Sequence, residues 1–202
     1  MILDLQKKVE EVYSQASDIN LHIPAIIDLA QKCDHITEMG VRTVVSTWGW
    51  LGGAPKNGLI SYDILNPKYW NKPGQEFDPI QDVIDTAEAY NIKFKFIEAD
   101  VCNIEIEETD LLFIDTWHCY DQLKEELRLH ANKAKKYICF HDTTTYAHTS
   151  EPITSDHRWT GNLTPEKGLW DAVTEFLDEN SSTWVLEKRY EYNNGFTVIK
   201  RI

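Results

Sequence analysis

The chain has 202 residues, 42% of them hydrophobic, which is enough for one substantial buried core and leaves little for a second. Its 33 acidic residues outnumber the 20 lysines and arginines, and the net charge of -13 repels a phosphate backbone, so no nucleic-acid partner is expected. No apolar run approaches the roughly 20 residues that span a bilayer, and charge interrupts the first residues where a secretion signal carries its hydrophobic stretch; a cytoplasmic protein without a membrane span is expected.

Cys33, Cys102, Cys119 and Cys139 are scattered without a CxxC pair, as reduced structural thiols would be. Neither a repeat nor a Pro/Gly/Ser-rich linker marks a boundary. The expectation is a single domain over 1–202, with N-terminal helices in 1–32 and an α/β core in 33–202.

In chain order, residues 3 to 16 place Leu3, Leu5, Val9, Val12 and Tyr13 near helical spacing, and HIPAIIDLAQKC opens a second helix with Pro24 in its first turn. HITEMG, LISYDI and KFKFIEAD then read as strands, the last two separated by the helix DPIQDVIDTAEAY with its aspartate start. DLLFID and KYICFHD are nearly continuous apolar runs, as strands covered on both faces require, with the charged amphipathic helix YDQLKEELRLHANKA between them. After a polar loop from Tyr146 to Leu163, TPEKGLWDAVTEFLDEN predicts a helix with Thr164 as N-cap and Pro165 at its first position. TWVLEKRYEY and GFTVIKRI read as a hairpin turning on Asn193, Asn194 and Gly195.

Chemistry concentrates where the two apolar strands end: Asp115 and His118 leave the first, His141 and Asp142 the second. Sites in parallel α/β sheets lie beyond the carboxyl ends of strands, so these four residues can converge on one crevice suited to a divalent metal beside a general base. Asp63 lies 23 positions beyond Gly40, close to the roughly 20-residue spacing at which an acid reaches a ribose diol in nucleotide-binding βαβ units.

This pattern, with Glu38 in TEMG at the first strand end and Asp63 closing the second, resembles the class I S-adenosylmethionine-dependent methyltransferases over most of residues 33 to 202. FIDTWHCY, the strand ending in HDT and the terminal NNGFTVIKR resemble the metal-dependent sugar and natural-product O-methyltransferases grouped with cephalosporin-hydroxylase-like proteins. The resemblance implies a Rossmann-like α/β sandwich: a mostly parallel seven-stranded sheet, a C-terminal antiparallel hairpin and two N-terminal helices. It implies S-adenosylmethionine as cofactor, with Glu38 and Gly40 on its amino-acid half, Asp63 on its ribose, and Asp100 and Val101 bordering adenine. It further implies a magnesium or manganese ion on Asp115 and Asp142, and His118 as the base that takes a proton from the acceptor hydroxyl.

His141 stands where relatives often carry a carboxylate, so either it is not a ligand, with Thr143 offering an oxygen instead, or the site prefers an ion such as manganese. The first loop, EMGVRTVVSTWGW, is also poorer in glycine than many cofactor-binding turns, with Val44 where another glycine is expected. Trp48, Trp50 and Trp117 are candidates to stack on a sugar ring, against plain core packing. In the polar loop, His148, Asp156, His157 and Arg158 raise a second metal site, and the loop's length suggests a lid or acceptor-binding segment. The expected activity is metal-assisted O-methylation of a sugar or glycosylated metabolite, the acceptor being the expected partner beside a possible homo-oligomer. The alternative is a degenerate methyltransferase-like module that binds a glycan or protein; a nicotinamide oxidoreductase lacks its GxGxxG.

Overall fold

A computed structural model describes residues 4–71, 76–154 and 157–202; Leu3 and Asp156 lie outside them. The chain divides into two compact units, residues 1–99 and 100–202. Among the described residues seven strands form a mostly parallel mixed sheet with an antiparallel C-terminal pair. Among the described residues no helix is long and apolar enough to cross a membrane.

In the first unit, α1 (Leu5–Ser14) begins at Asp4, whose carboxylate accepts the Lys7 amide, and α2 (Ile23–Ala30) carries Pro24 in its first turn, as the sequence predicts. Strands β1 (His35–Met39), β2 (Gly58–Asp63) and β3 (Phe94–Glu98) are parallel, β2 lying between the other two. Between β1 and β2 runs α3 (Val45–Gly52), and between β2 and β3 runs α4 (Pro79–Ala89), capped by Asp78. The glycines of TWGWLGG serve packing: a Cβ on Gly49 would stand 2.8 Å from Ile26 Cγ2, and one on Gly53 2.2 Å from the Ala30 Cβ. Side-chain-free positions thus let α3 lie close against α2. Trp48 and Trp50 are sealed in this core, which removes both as sugar platforms.

In the second unit β4 (Thr109–Ile114) and β5 (Ala134–His141) are parallel, joined by α5 (Tyr120–His130). Helix α6 (Leu169–Glu179) leads to the hairpin β6 (Trp184–Tyr190) and β7 (Phe196–Arg201), β7 pairing antiparallel with β5 and β6. Leu111, Leu112, Phe113, Ile138, Cys139 and Phe140 are fully buried or nearly so, as the continuous apolar runs require. The basic cluster Lys133, Lys135 and Lys136 is matched by Glu105 and Glu108 on the approach to β4 and by Asp110 within it.

One predicted boundary is corrected. Helix α6 starts at Leu169 with Gly168 as its N-cap, four residues beyond the start read from Thr164 and Pro165. Thr164 instead donates its amide and hydroxyl to Asp121 on α5, at 2.6 and 3.0 Å. Gly168 passes so close to the backbone of Tyr146 that a Cβ would lie 2.1 Å from its carbonyl oxygen. A long-range contact therefore overrides the local start signal.

Candidate active site

The acids of the first unit, Glu38 and Asp63, each accept three hydrogen bonds from neutral donors of their own chain. Glu38 is fully buried, and its carboxylate accepts the hydroxyls of Ser46 at 2.6 Å, Thr47 at 2.8 Å and Ser61 at 2.6 Å. Ser46 and Thr47 belong to the first turn of α3, where a negative charge is favoured. Glu38 thereby fixes the helix against β2 and points into the fold. Asp63 Oδ2 accepts the amides of Val41 and Arg42 at 2.8 and 2.9 Å, and Oδ1 that of Leu65 at 2.9 Å.

The loop so held is strained. Gly40 has φ 86°, and Arg42 and Val44 are left-handed at 44° and 58°. A β-branched residue rarely adopts that conformation, so the glycine expected at Val44 is one the backbone itself would favour.

In the second unit Asp115 and His118 follow β4, and His141 and Asp142 end β5. The next helix is capped at Cys119, so Asp115 is not a helix cap. One ligand atom from each of Asp115, His118 and Asp142 lies within 4.8 Å of the others, the one such group found among the described residues. His118 Nε2 is 2.9 Å from Asp142 Oδ2 and 3.7 Å from Asp115 Oδ1. His141 Nδ1 is 2.9 Å from the same Asp142 oxygen and 3.2 Å from the same Asp115 oxygen.

The outward nitrogens face acceptors. His118 Nδ1 lies 3.0 Å from Glu151 Oε2, and His141 Nε2 donates to the Asn193 carbonyl at 3.2 Å. Asp142 Oδ1 is buried without a hydrogen-bond partner among the described residues, and Asp142 sits in the left-handed region at φ 58°. Strain of this kind collects at functional sites.

Without an ion the cluster balances itself by proton binding. Burial opposes charge on His118, yet Asp115, Asp142 and Glu151 push it up to about 12. Burial likewise opposes charge on His141, which Asp115 and Asp142 push up to about 10. Against burial, the imidazoles hold Asp115 and Asp142 below the usual carboxylate range. The donor set fits a cation: two carboxylates, two imidazoles and one orphaned carboxylate oxygen. Thr143 does not join it, because its buried hydroxyl is engaged with that of Thr197 at 2.8 Å.

Tyr146, Glu151 and His157 contact the segment that carries His118. The Tyr146 ring stacks on His118 at 4.8 Å, and His157 stacks on Trp117 at 4.3 Å, covering one Trp117 face. The Glu151 amide donates to the His118 carbonyl at 2.8 Å. His148 pairs with Asp171 at 2.7 Å, and no second group able to hold a metal occurs among the described residues. In the same unit Asp100 Oδ1 accepts the Cys102 amide at 3.0 Å, while the buried Val101 offers its carbonyl to His130 Nε2 at 2.8 Å.

The fold is that of the class I S-adenosylmethionine-dependent methyltransferases. A caffeoyl-CoA O-methyltransferase candidate from Staphylococcus aureus matches at TM-score 0.59 and 12% identity, covering 90% of this chain and 83% of its own. An O-methyltransferase from Bacillus cereus in complex with S-adenosylhomocysteine matches at TM-score 0.58 and 13% identity, over 97% of this chain and 91% of its own. The S-adenosylhomocysteine-bound methyltransferase PaMTH1 from Podospora anserina matches at 0.54 and 17%, over 100% and 89%. No protein-family model and no curated sequence matches the chain. At such identities the likeness carries the fold and not the substrate.

Sequence reasoning missed Glu151, the Asn193 carbonyl and Glu126. Glu151 stands in a polar loop with no motif around it, and a backbone carbonyl leaves no signal. Glu126 lies in a charged helix that reads as a solvated face, yet it is fully buried, accepting Thr116 Oγ1 at 2.6 Å and Gln122 Nε2 at 2.9 Å. Burial pushes its carboxyl up to about 7 despite those two donors.

Proposed function

We propose that the chain is an S-adenosylmethionine-dependent, divalent-metal-assisted O-methyltransferase acting on a hydroxyl of a sugar or glycosylated metabolite. The observation that carries this reading is the convergence of Asp115, Asp142, His118 and His141 where β4 and β5 end, in a methyltransferase fold. Bound there, a divalent ion supplies Lewis acidity to a hydroxyl, and the cofactor supplies an electrophilic methyl group. Asp115 and Asp142, with His141 beside them, hold the cation.

The resemblance makes His118 the acceptor of the hydroxyl proton, worth on the order of a hundred- to ten-thousandfold in rate. Gly40 and Asp63 serve the amino-acid and ribose parts of the cofactor, the Asp63 carboxylate keeping lone pairs beyond its three amide bonds. Glu38 acts on that site by holding the first turn of α3. Asp100 and Val101 are offered for adenine. Tyr146, stacked on His118, is offered as a wall of the acceptor site.

The test is calorimetry with S-adenosylmethionine, with and without manganese or magnesium, followed by mass spectrometry of a saccharide and glycoside panel. A gain of one methyl on an acceptor hydroxyl, dependent on the ion, is expected. No cofactor binding under either condition refutes the assignment, and cofactor binding without transfer to any acceptor favours a degenerate binding module.

A further inference from the structure

The four inward atoms of the cluster, His118 Nε2, His141 Nδ1, Asp115 Oδ1 and Asp142 Oδ2, stand 2.9 to 3.7 Å apart in their imidazole–carboxylate pairs. Each ring turns its other nitrogen to a group that only accepts: the Glu151 carboxylate at 3.0 Å and the Asn193 carbonyl at 3.2 Å. Those outward nitrogens carry the N–H in the neutral tautomers, so both inward nitrogens present bare lone pairs. A cation entering the cluster then takes the place of the protons that otherwise join the imidazoles to the carboxylates, and meets four ligand atoms. A ligating histidine whose remote N–H is held by a carboxylate or carbonyl is the recurrent outer architecture of metal sites.

The outer contacts are built in. Glu151 meets His118 twice: its amide donates to the His118 backbone carbonyl at 2.8 Å, and its carboxylate stands at an ion-pair distance of 3.0 Å from Nδ1. The Asn193 carbonyl is held by a turn whose Gly195 could not carry a Cβ, which would fall 2.4 Å from Thr144 Oγ1, and whose Asn194 carbonyl accepts the Thr144 amide at 2.8 Å.

We infer that His118 and His141 are both ligands of the ion held by Asp115 and Asp142, that the site therefore selects a borderline ion of the manganese, iron or zinc class over magnesium, and that Glu151 aims His118. Nitrogen donors suit such ions, whereas magnesium prefers an all-oxygen octahedron. His118 then occupies the ion's coordination shell in place of the proton-accepting role that the resemblance implies. The inference deepens the metal-assisted reading and rests on it for its functional meaning, but its readout contains no methyl transfer.

The experiment is titration of the full chain with manganese and with magnesium by calorimetry, together with pulsed electron paramagnetic resonance of the manganese-bound protein. Manganese is expected to bind at least about tenfold more tightly than magnesium, with nitrogen couplings from coordinated imidazole. His118→Ala should weaken manganese by more than about a hundredfold and reduce the nitrogen coupling, since loss of an outer contact alone costs roughly 10- to 100-fold. Glu151→Gln should fall in that lower range, with Glu151→Asp recovering part of the loss.

Manganese affinity unchanged in His118→Ala returns His118 to the role of base and overturns the inference. So does magnesium binding as tightly as manganese, or a manganese spectrum without nitrogen coupling. If His118→Ala does not fold, the wild-type spectrum and the Glu151 pair still decide. A chain that binds manganese through nitrogen yet methylates nothing would refute the transferase reading and leave this assignment standing.

Discussion

Two pairs of acids sit at strand ends in this molecule, and their surroundings are opposite. Glu38 and Asp63, in the first unit, are surrounded by hydroxyls and amides that donate to them. Asp115 and Asp142, in the second, face imidazoles, and one oxygen of Asp142 has no hydrogen-bond partner among the described residues. An acid engaged by neutral amides and hydroxyls organises backbone; an acid facing imidazoles shares positive charge with them, as a proton or, in the reading proposed above, as a metal ion. Strand-end position is common to both pairs, so position alone does not separate a scaffold acid from a ligand.

The contrast breaks most visibly at Glu38. Glu38→Ala strands three buried hydroxyls at once, and a loss of about 4 kcal/mol in denaturant-measured stability is expected, with manganese binding by the second unit unchanged. A loss under about 1 kcal/mol would show that Glu38 does not hold α3 in place.

Glu126 sharpens the comparison from a third side, as a buried acid with too few donors. Between pH 4.5 and about 7 the folded chain keeps its proton while the unfolded chain loses it. The native state then binds more protons than the unfolded one, so stability falls as pH rises through that window, by roughly 3 kcal/mol. Glu126→Gln should flatten this part of the profile and leave a more stable protein at pH 8. An unchanged slope in chemical unfolding would assign the pH dependence elsewhere.

The cation-facing pair predicts the reverse of Glu38. Manganese at a hundredfold excess over its Kd should stabilise the wild type by about 2.7 kcal/mol, and Asp142→Asn should abolish that increment. Thermal melts with and without the ion provide the check. The smallest effect is expected at Asp63: Asp63→Asn keeps the amide geometry but weakens charge-assisted bonds, costing about 1 to 2 kcal/mol and lowering affinity for S-adenosylhomocysteine. Unaltered cofactor affinity would leave Asp63 as a loop anchor only.

Much of the fold was legible because it follows from periodicity. The continuous apolar runs at 109–114 and 134–141 demand cover on both faces, and Asn193, Asn194 and Gly195 turn the hairpin with positive φ at all three positions. The convergence of Asp115, His118, His141 and Asp142 was legible for a related reason, since side chains at strand ends are placed by the strands themselves.

Other features answered to distance in space. Thr164 and Pro165 carry a helix start that Asp121 and the Tyr146 backbone displace to Leu169. Trp48 and Trp50 read equally as platform or core until α2 and α3 close on them. Sequence by itself thus determined the order of elements and the four residues that meet, because both depend on local pattern. Only the tertiary structure decided which acids meet neutral donors, that Glu126 is buried and that Glu151 and Asn193 face the two imidazoles, because those contacts depend on how side chains from different elements meet in space and not on local pattern.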